Sequence, residues 1–105
     1  MSIARRIDHL IGGKAVAGAD YLETVNPATQ EVLAEVASGG ETEVAAAVAA
    51  AKEAFPAWAG LAAPQRARLV RRLGELIAGN IAELAQTETD DTGQVIAQTG
   101  RQLVP

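Results

Sequence analysis

The chain contains no cysteine and a single histidine, His9. Without cysteine it has no disulfide framework, no thiolate nucleophile and no thiolate zinc site. One imidazole is too few for a histidine-rich metal site or for a relay with spare parts. Aromatic residues are 3% of the sequence: Tyr21, Phe55 and Trp58. Large apolar side chains are scarce as well. Hydrophobic residues make up 49% of the 105, but 23 of them are alanine and only 28 are larger. A folded chain of this size buries roughly two-thirds of its unfolded surface, and alanine adds little area to that burial. A self-sufficient core would therefore be thin. No apolar run approaches the ~18 residues of a membrane span; the longest, residues 44–51, has eight and is mostly alanine. The start, Met1 to Arg6, has charge but no apolar segment behind it, so no signal peptide is expected. The net charge of −4 argues against a nucleic-acid surface. The expectation is a cytoplasmic protein with neither nucleic acid nor membrane as a partner.

What remains divides into three zones. Residues 7–37 read as strands and tight turns. Ile7 to Ile11 and Lys14 to Ala17 flank Gly12-Gly13, a hairpin signal, because primed turns need positive φ and glycine supplies it cheaply. Tyr21 to Val25 is rich in strand formers. Asn26 to Gln30 is a turn, with Pro27 presetting φ and Asn26 able to bond its own backbone. Glu31 to Ala37 alternates, with Val32, Ala34 and Val36 on one face and Glu31 and Glu35 on the other.

Residues 41–92 read as helices. Glu41 and Glu43 suit a helix N-terminus, and Val44, Val48, Ala51 and Phe55 form one stripe that Pro56 is expected to end or kink near Phe55. Pro64 fits the first position of a second helix, whose apolar face is Leu69, Val70, Leu73, Leu76 and Ile77. Gly79-Asn80 is a stop, and Ile81, Leu84 and Ala85 open a third helix that runs into Glu88, Asp90 and Asp91. Residues 93–105 have no clear pattern.

Few residues invite chemistry. Arg66, Arg68, Arg71 and Arg72 could bind an anion, but opposite an apolar stripe they read as a solvated helix face. Glu88, Asp90 and Asp91 could hold a cation through oxygen, but they lack the spacing of a calcium loop and read as a polar helix end. His9 lies in a strand with no nucleophile or orienting acid at recognisable spacing. Gly12-Gly13-Lys14 lacks the other residues of a phosphate loop, and no G-x-G-x-x-G follows a strand. No residue set here assembles a catalytic centre.

The order of segments is more specific than any one of them. Ile11-Gly12-Gly13-Lys14 is followed by Val25-Asn26-Pro27-Ala28-Thr29 and by Glu31 to Val36. Then come Ala50-Ala51-Lys52-Glu53-Ala54-Phe55-Pro56-Ala57-Trp58, the run Arg66 to Leu73, and Glu88-Thr89-Asp90-Asp91-Thr92-Gly93. This succession resembles the N-terminal part of the NAD(P)-dependent aldehyde dehydrogenase family over residues 8–105. Two stretches, Val16 to Tyr21 and Val36 to Glu41, are most similar to members that oxidise a semialdehyde in aromatic-compound catabolism.

The resemblance implies an α/β parent fold, of which this piece would be α+β, short β-hairpins followed by helices. It implies that residues 1–105 are an incomplete N-terminal part of the cofactor-binding domain. In the family a cysteine thiolate attacks the aldehyde, hydride passes to the nicotinamide of NAD, and a glutamate-activated water releases the acid. Those groups lie later in the family's chains, so the piece alone is expected to be inactive, with no catalytic and no cofactor-binding residue. The parent is expected to be a homo-oligomer that takes a small aldehyde. Some members hold a structural monovalent cation through main-chain oxygens, and the matching positions are Thr24, Val25 and Asp91. Gly12 stands where the family often has Asn, and Gln30 where it usually has Gly. If Gln30 is left-handed, the cost is roughly 1 kcal/mol. The alternative is a small non-catalytic helical interaction or oligomerisation module, docking through residues 44–55 and 69–84.

Overall fold

The computed structural model describes residues 5–102. Five strands precede four helices: β1 (Arg5–Ile7), β2 (His9–Ile11), β3 (Lys14–Val16), β4 (Asp20–Val25), β5 (Val32–Ser38), α1 (Glu41–Gly60), α2 (Ala63–Gly79), α3 (Ile81–Thr92) and α4 (Ile96–Gln102). β2 and β3 form an antiparallel hairpin in which His9 faces Val16 and Ile11 faces Lys14. Gly12 and Gly13 both turn it with positive φ, 60° and 75°, as the sequence requires. The other sheet has the order β1-β5-β4, with β1 parallel to β5. The first apolar run is thus two strands and not one. Its break at Asp8 sends β1 to the sheet and β2 to the hairpin.

The chain forms two compact units. One holds residues up to 24 together with 32–61; the other holds residues 25–31 and those from 62 onward. In the first unit, β5 carries Ala34, buried to 6% exposure, on one face and Glu35 on the other. Arg6 pairs with Glu35 at 3.3 Å and lies over the Tyr21 ring, 4.3 Å from its centre. This exposed cluster contributes at most about 1 kcal/mol as an ion pair, but it ties β1, β4 and β5 together on one face. In the second unit α3 packs on α4 around Ala85 and the fully buried Thr99. The Thr99 hydroxyl is paired twice at 3.0 Å, with the Thr89 hydroxyl and with the Ile96 carbonyl, so its burial leaves no orphan.

Three expectations change. α1 does not stop at Phe55; it continues through Pro56 to Gly60. The proline deprives the Lys52 carbonyl of its helical partner, but Lys52 is exposed and water can replace the lost N–H. Pro64 is the second and not the first residue of α2, because the Gln65 side chain reaches back to the Ala62 N–H at 3.1 Å and starts the helix at Ala63. Neither position has a helical N–H bond to lose. The unpatterned end contains α4, too short for a periodicity of its own.

The helical stripes read from sequence exist, but they are open. Val44, Phe55, Val70 and Leu73 are each about 60% exposed, and neither α1 nor α2 has a buried residue. Gln30 is left-handed, with φ 65°, and its side-chain amide donates to the Pro27 carbonyl at 3.1 Å. Gln30→Gly is therefore expected to raise the unfolding free energy by about 0.5–1 kcal/mol, read from the urea midpoint. A variant no more stable than the parent would mean that the bond to Pro27 already offsets the strain.

Candidate functional site

Two places gather the polar residues singled out above. The first is the junction of the hairpin with α1. Gly40 has no side chain to cap α1, so the cap comes from within the helix: the Glu43 carboxylate accepts from the Gly40 N–H at 2.9 Å. That bond, then one from its own N–H, holds the Glu43 carboxyl below the ordinary carboxylate range, and His9 adds a smaller pull in the same direction. His9 is half-buried on β2 and shares with Glu43, Leu10, Ile11, Gly39, Val44 and Ala47 a shallow depression of about 210 Å³. Its Nε2 is shielded from solvent and has no hydrogen-bond partner. It packs where two glycines leave room: a Cβ on Gly18 would stand 3.3 Å from Nε2, and one on Gly39 would stand 3.4 Å from the ring carbon Cε1.

The second place joins the turn after β4 to the end of α3. Asn26 builds the turn by accepting from the N–H groups of Ala28 (2.8 Å) and Thr29 (3.3 Å), while its own N–H donates to the Glu31 carbonyl. α3 ends in a left-handed Gly93, φ 76°, whose N–H takes the Thr89 carbonyl at 2.9 Å. A Cβ on Gly93 would come within 3.0 Å of the Pro27 ring, so turn and helix end touch. The Asp91 carbonyl belongs to the last turn of α3, the negative end of the helix dipole, where the Gly93 N–H takes the Thr89 carbonyl.

Thr24 and Val25 are the last two residues of β4. Val25 lies in the same compact unit as Asp91, and Thr24 in the other. The Thr24 hydroxyl donates to the Ala34 carbonyl, at 3.5 Å. Glu88 and Asp90 are half-buried, Asp91 is exposed, and Asp90 accepts from Gln86 at 2.8 Å. Among the described residues no three His, Cys, Asp or Glu side chains could hold a metal ion together. Main-chain carbonyls at a helix C-terminus carry partial negative charge and suit a cation chemically. Arg68 and Arg71 are exposed, and Arg72 pairs with Glu75 three residues on. Sequence reasoning missed the two glycines around His9, because only the folded chain brings residues 9, 18 and 39 to one point.

Solved structures share this architecture. HpcC from Thermus thermophilus matches with a TM-score of 0.90 and 40% identity, over 94% of this chain and 20% of that one. A mutant of aldehyde dehydrogenase C from Pseudomonas syringae, solved with NAD+ and octanal, matches with a TM-score of 0.85 and 38% identity, over 90% of this chain and 20% of that one. The fold is that of an aldehyde dehydrogenase N-terminal region. Residues 15–104 match the aldehyde dehydrogenase family, and the chain belongs to that family. The 5-carboxymethyl-2-hydroxymuconate semialdehyde dehydrogenase of Escherichia coli is 59% identical over 101 residues, 96% of this chain and 22% of that protein. The chain thus spans about a fifth of the length of the relatives it matches.

The lowered pKa of Glu43 has a pH consequence. The folded chain keeps this carboxylate ionised more readily than the unfolded chain does. Its contribution is therefore complete above the ordinary carboxylate range and is lost as the pH falls through the lower, folded value. Glu43→Gln keeps an acceptor oxygen but cannot ionise. It should flatten part of the acid limb of the stability–pH curve, and an unchanged acid limb would show that Glu43 does not supply it.

Proposed function

We propose that residues 1–105 are the N-terminal part of the cofactor-binding domain of an NAD-dependent aldehyde dehydrogenase. The whole enzyme oxidises 5-carboxymethyl-2-hydroxymuconate semialdehyde to its carboxylic acid in aromatic-compound catabolism, in the cytoplasm and as a homo-oligomer. The observation that carries this reading is the 59% identity with the Escherichia coli enzyme of that name across 96% of the chain. The stretches 16–21 and 36–41 add support, because in sequence they resemble that same subfamily.

The division of labour follows from what these residues are. In the whole enzyme NAD would supply the hydride acceptor, but this chain has no glycine-rich phosphate loop to cradle it and no cysteine to attack an aldehyde. Its residues do not fit the cofactor, and no catalytic step is assigned to them. Their part is to build a scaffold of hairpin, sheet and helices beside the site. No helix among the described residues is long and apolar enough to cross a membrane.

Within the second unit the carbonyls of Val25 and Asp91 are proposed ligands of a structural monovalent cation, and Thr24 is added by the family resemblance alone. The support is the negative C-terminal end of α3 and its contact, through Gly93, with Pro27 two residues after Val25. Bound there, the cation would neutralise the negative helix end and hold the turn against it.

Two experiments test these statements. The locus is read beyond Pro105, and the longer product is assayed for NADH formation with the semialdehyde. Turnover by the longer product and none by the 105-residue chain is expected. Turnover by the 105 residues alone, or none by the longer product, would overturn the reading, and a translated stop after Pro105 would favour the interaction module. Separately, the thermal midpoint of the longer protein is measured in potassium, sodium and tetramethylammonium chloride at equal ionic strength. One of the alkali cations should raise it by specific binding; identical midpoints in all three salts would remove the cation site.

A further inference from the structure

β1 has three residues, Arg5–Ile7, and all of them are exposed. Its one apolar side chain, Ile7, is 39% exposed, so burial does little to keep the strand on the sheet. β1 lies at the sheet edge, since β5 has β4 on its other side. The pairing is parallel and spans three residue pairs, from Arg5 opposite Ala34 to Ile7 opposite Val36. A parallel ladder is slightly weaker per residue than an antiparallel one. So short and open an element belongs to the low end of local stability, and its attachment depends on side-chain contacts.

Those contacts converge on Arg6. It stands directly across from Glu35, and its Nε and Nη2 both donate to one Glu35 oxygen, at 3.4 and 3.3 Å. The same guanidinium lies over the Tyr21 ring of β4. One side chain thus reaches both of the other strands of the sheet. The ion pair is open to water, with the Arg6 side chain 61% and the Glu35 side chain 38% exposed, so dissolved salt screens it.

A separate set of bonds fixes the point where β1 ends. The Tyr21 hydroxyl donates to the Asp8 carboxylate at 2.6 Å and accepts from the Gly18 N–H at 3.1 Å. Asp8 lies between β1 and β2, and Gly18 between β3 and β4. Tyr21 therefore holds both ends of the hairpin without using the Arg6 charge. The hairpin also has its own ladder, β2 with β3. β1 can leave the sheet with Asp8 as its pivot while the hairpin stays formed.

We infer that β1 is an electrostatic strap: Arg6 fastens it over the β5 edge, and loss of the Arg6 contacts frees residues 5–7 as a unit. Released, the strap uncovers main-chain donors and acceptors of β5 at residues 34–36, a sheet edge open to pairing with another strand. The strap depends on these contacts alone and is independent of the dehydrogenase reading.

Amide exchange in the 105-residue chain, corrected for intrinsic rates, tests it. Protection is read at residues 5–7 and at the β5 amides that face β1, with the β2–β3 ladder as reference. Arg6→Ala should lower protection of the β1–β5 ladder about five- to tenfold and leave the hairpin ladder unchanged. Arg6→Lys keeps the charge but loses the planar fork, and should fall between the two. In the wild type, raising potassium chloride from about 0.01 to about 1 M shortens the screening length from ~30 to ~3 Å and should lower protection of the same amides alone. Equal protection of the β1–β5 ladder in wild type and Arg6→Ala would overturn the strap, as would a wild-type ladder with no protection to lose. Insensitivity to salt, or loss of the hairpin ladder together with β1, would overturn it too.

Discussion

The helices of this chain carry more apolar side chain than its own elements cover. Among the described residues only Ala34 and Ala85 are buried apolar groups, and both are small. Hydrophobic burial usually contributes most to the stability of a fold. Here that contribution is held back, with Leu73, Val70 and Phe55 left in solvent. The consequence is felt at the starts of α1 and α2. α1 and α2 lack side-chain N-caps, since Gly40 and Ala62 cannot provide one. Each is capped from its third residue, by Glu43 and by Gln65. Where packing is thin, bonds worth about 1 kcal/mol each decide where an element begins.

Local bonds of this kind also position the two polar sites. The Asn26 side chain closes its turn through the Ala28 and Thr29 amides, and the turn presents Pro27 to Gly93. Gly93 must be left-handed to end α3 and must lack a Cβ to admit Pro27. One residue type satisfies both demands. At the other site, Gly18 meets a harder limit. A Cβ there would stand 3.0 Å from both the Ala37 Cβ and the Asp20 carbonyl, besides the His9 ring. The backbone crossing and the histidine environment are therefore one feature, and a side chain at Gly18 would disturb both.

The sequence disclosed what depends on neighbours along the chain. Gly12-Gly13 signals a hairpin turn, and the hairpin is there; Gln30 stands where the family usually has glycine, and it is left-handed. The stop at Gly79-Asn80 holds as well. What stayed hidden depends on distant partners. Nothing within Arg5 to Ile7 announces a parallel pairing with residues 34–36, and nothing near residue 9 announces residues 18 and 39. Pro56 misled in the opposite way. A proline in a buried helix would strand a carbonyl, but on an open helix that carbonyl stays accessible to water, so of the two expected outcomes, an end or a kink, the end does not occur.

Exposed apolar faces by themselves do not distinguish a docking module from part of a larger enzyme, since both present such faces. The strands separate the two. A helical module has no need of a parallel β1–β5 pair and a separate glycine-turned hairpin, which add little buried area of their own. An aldehyde dehydrogenase that is about five times longer has a use for them, as a rigid platform that fixes where α1 starts. The family match and the strand architecture therefore support the same reading. On the proposed reading, the open faces of α1 and α2 would be covered by the rest of such an enzyme, and the scarcity of buried apolar groups among the described residues would follow from that division.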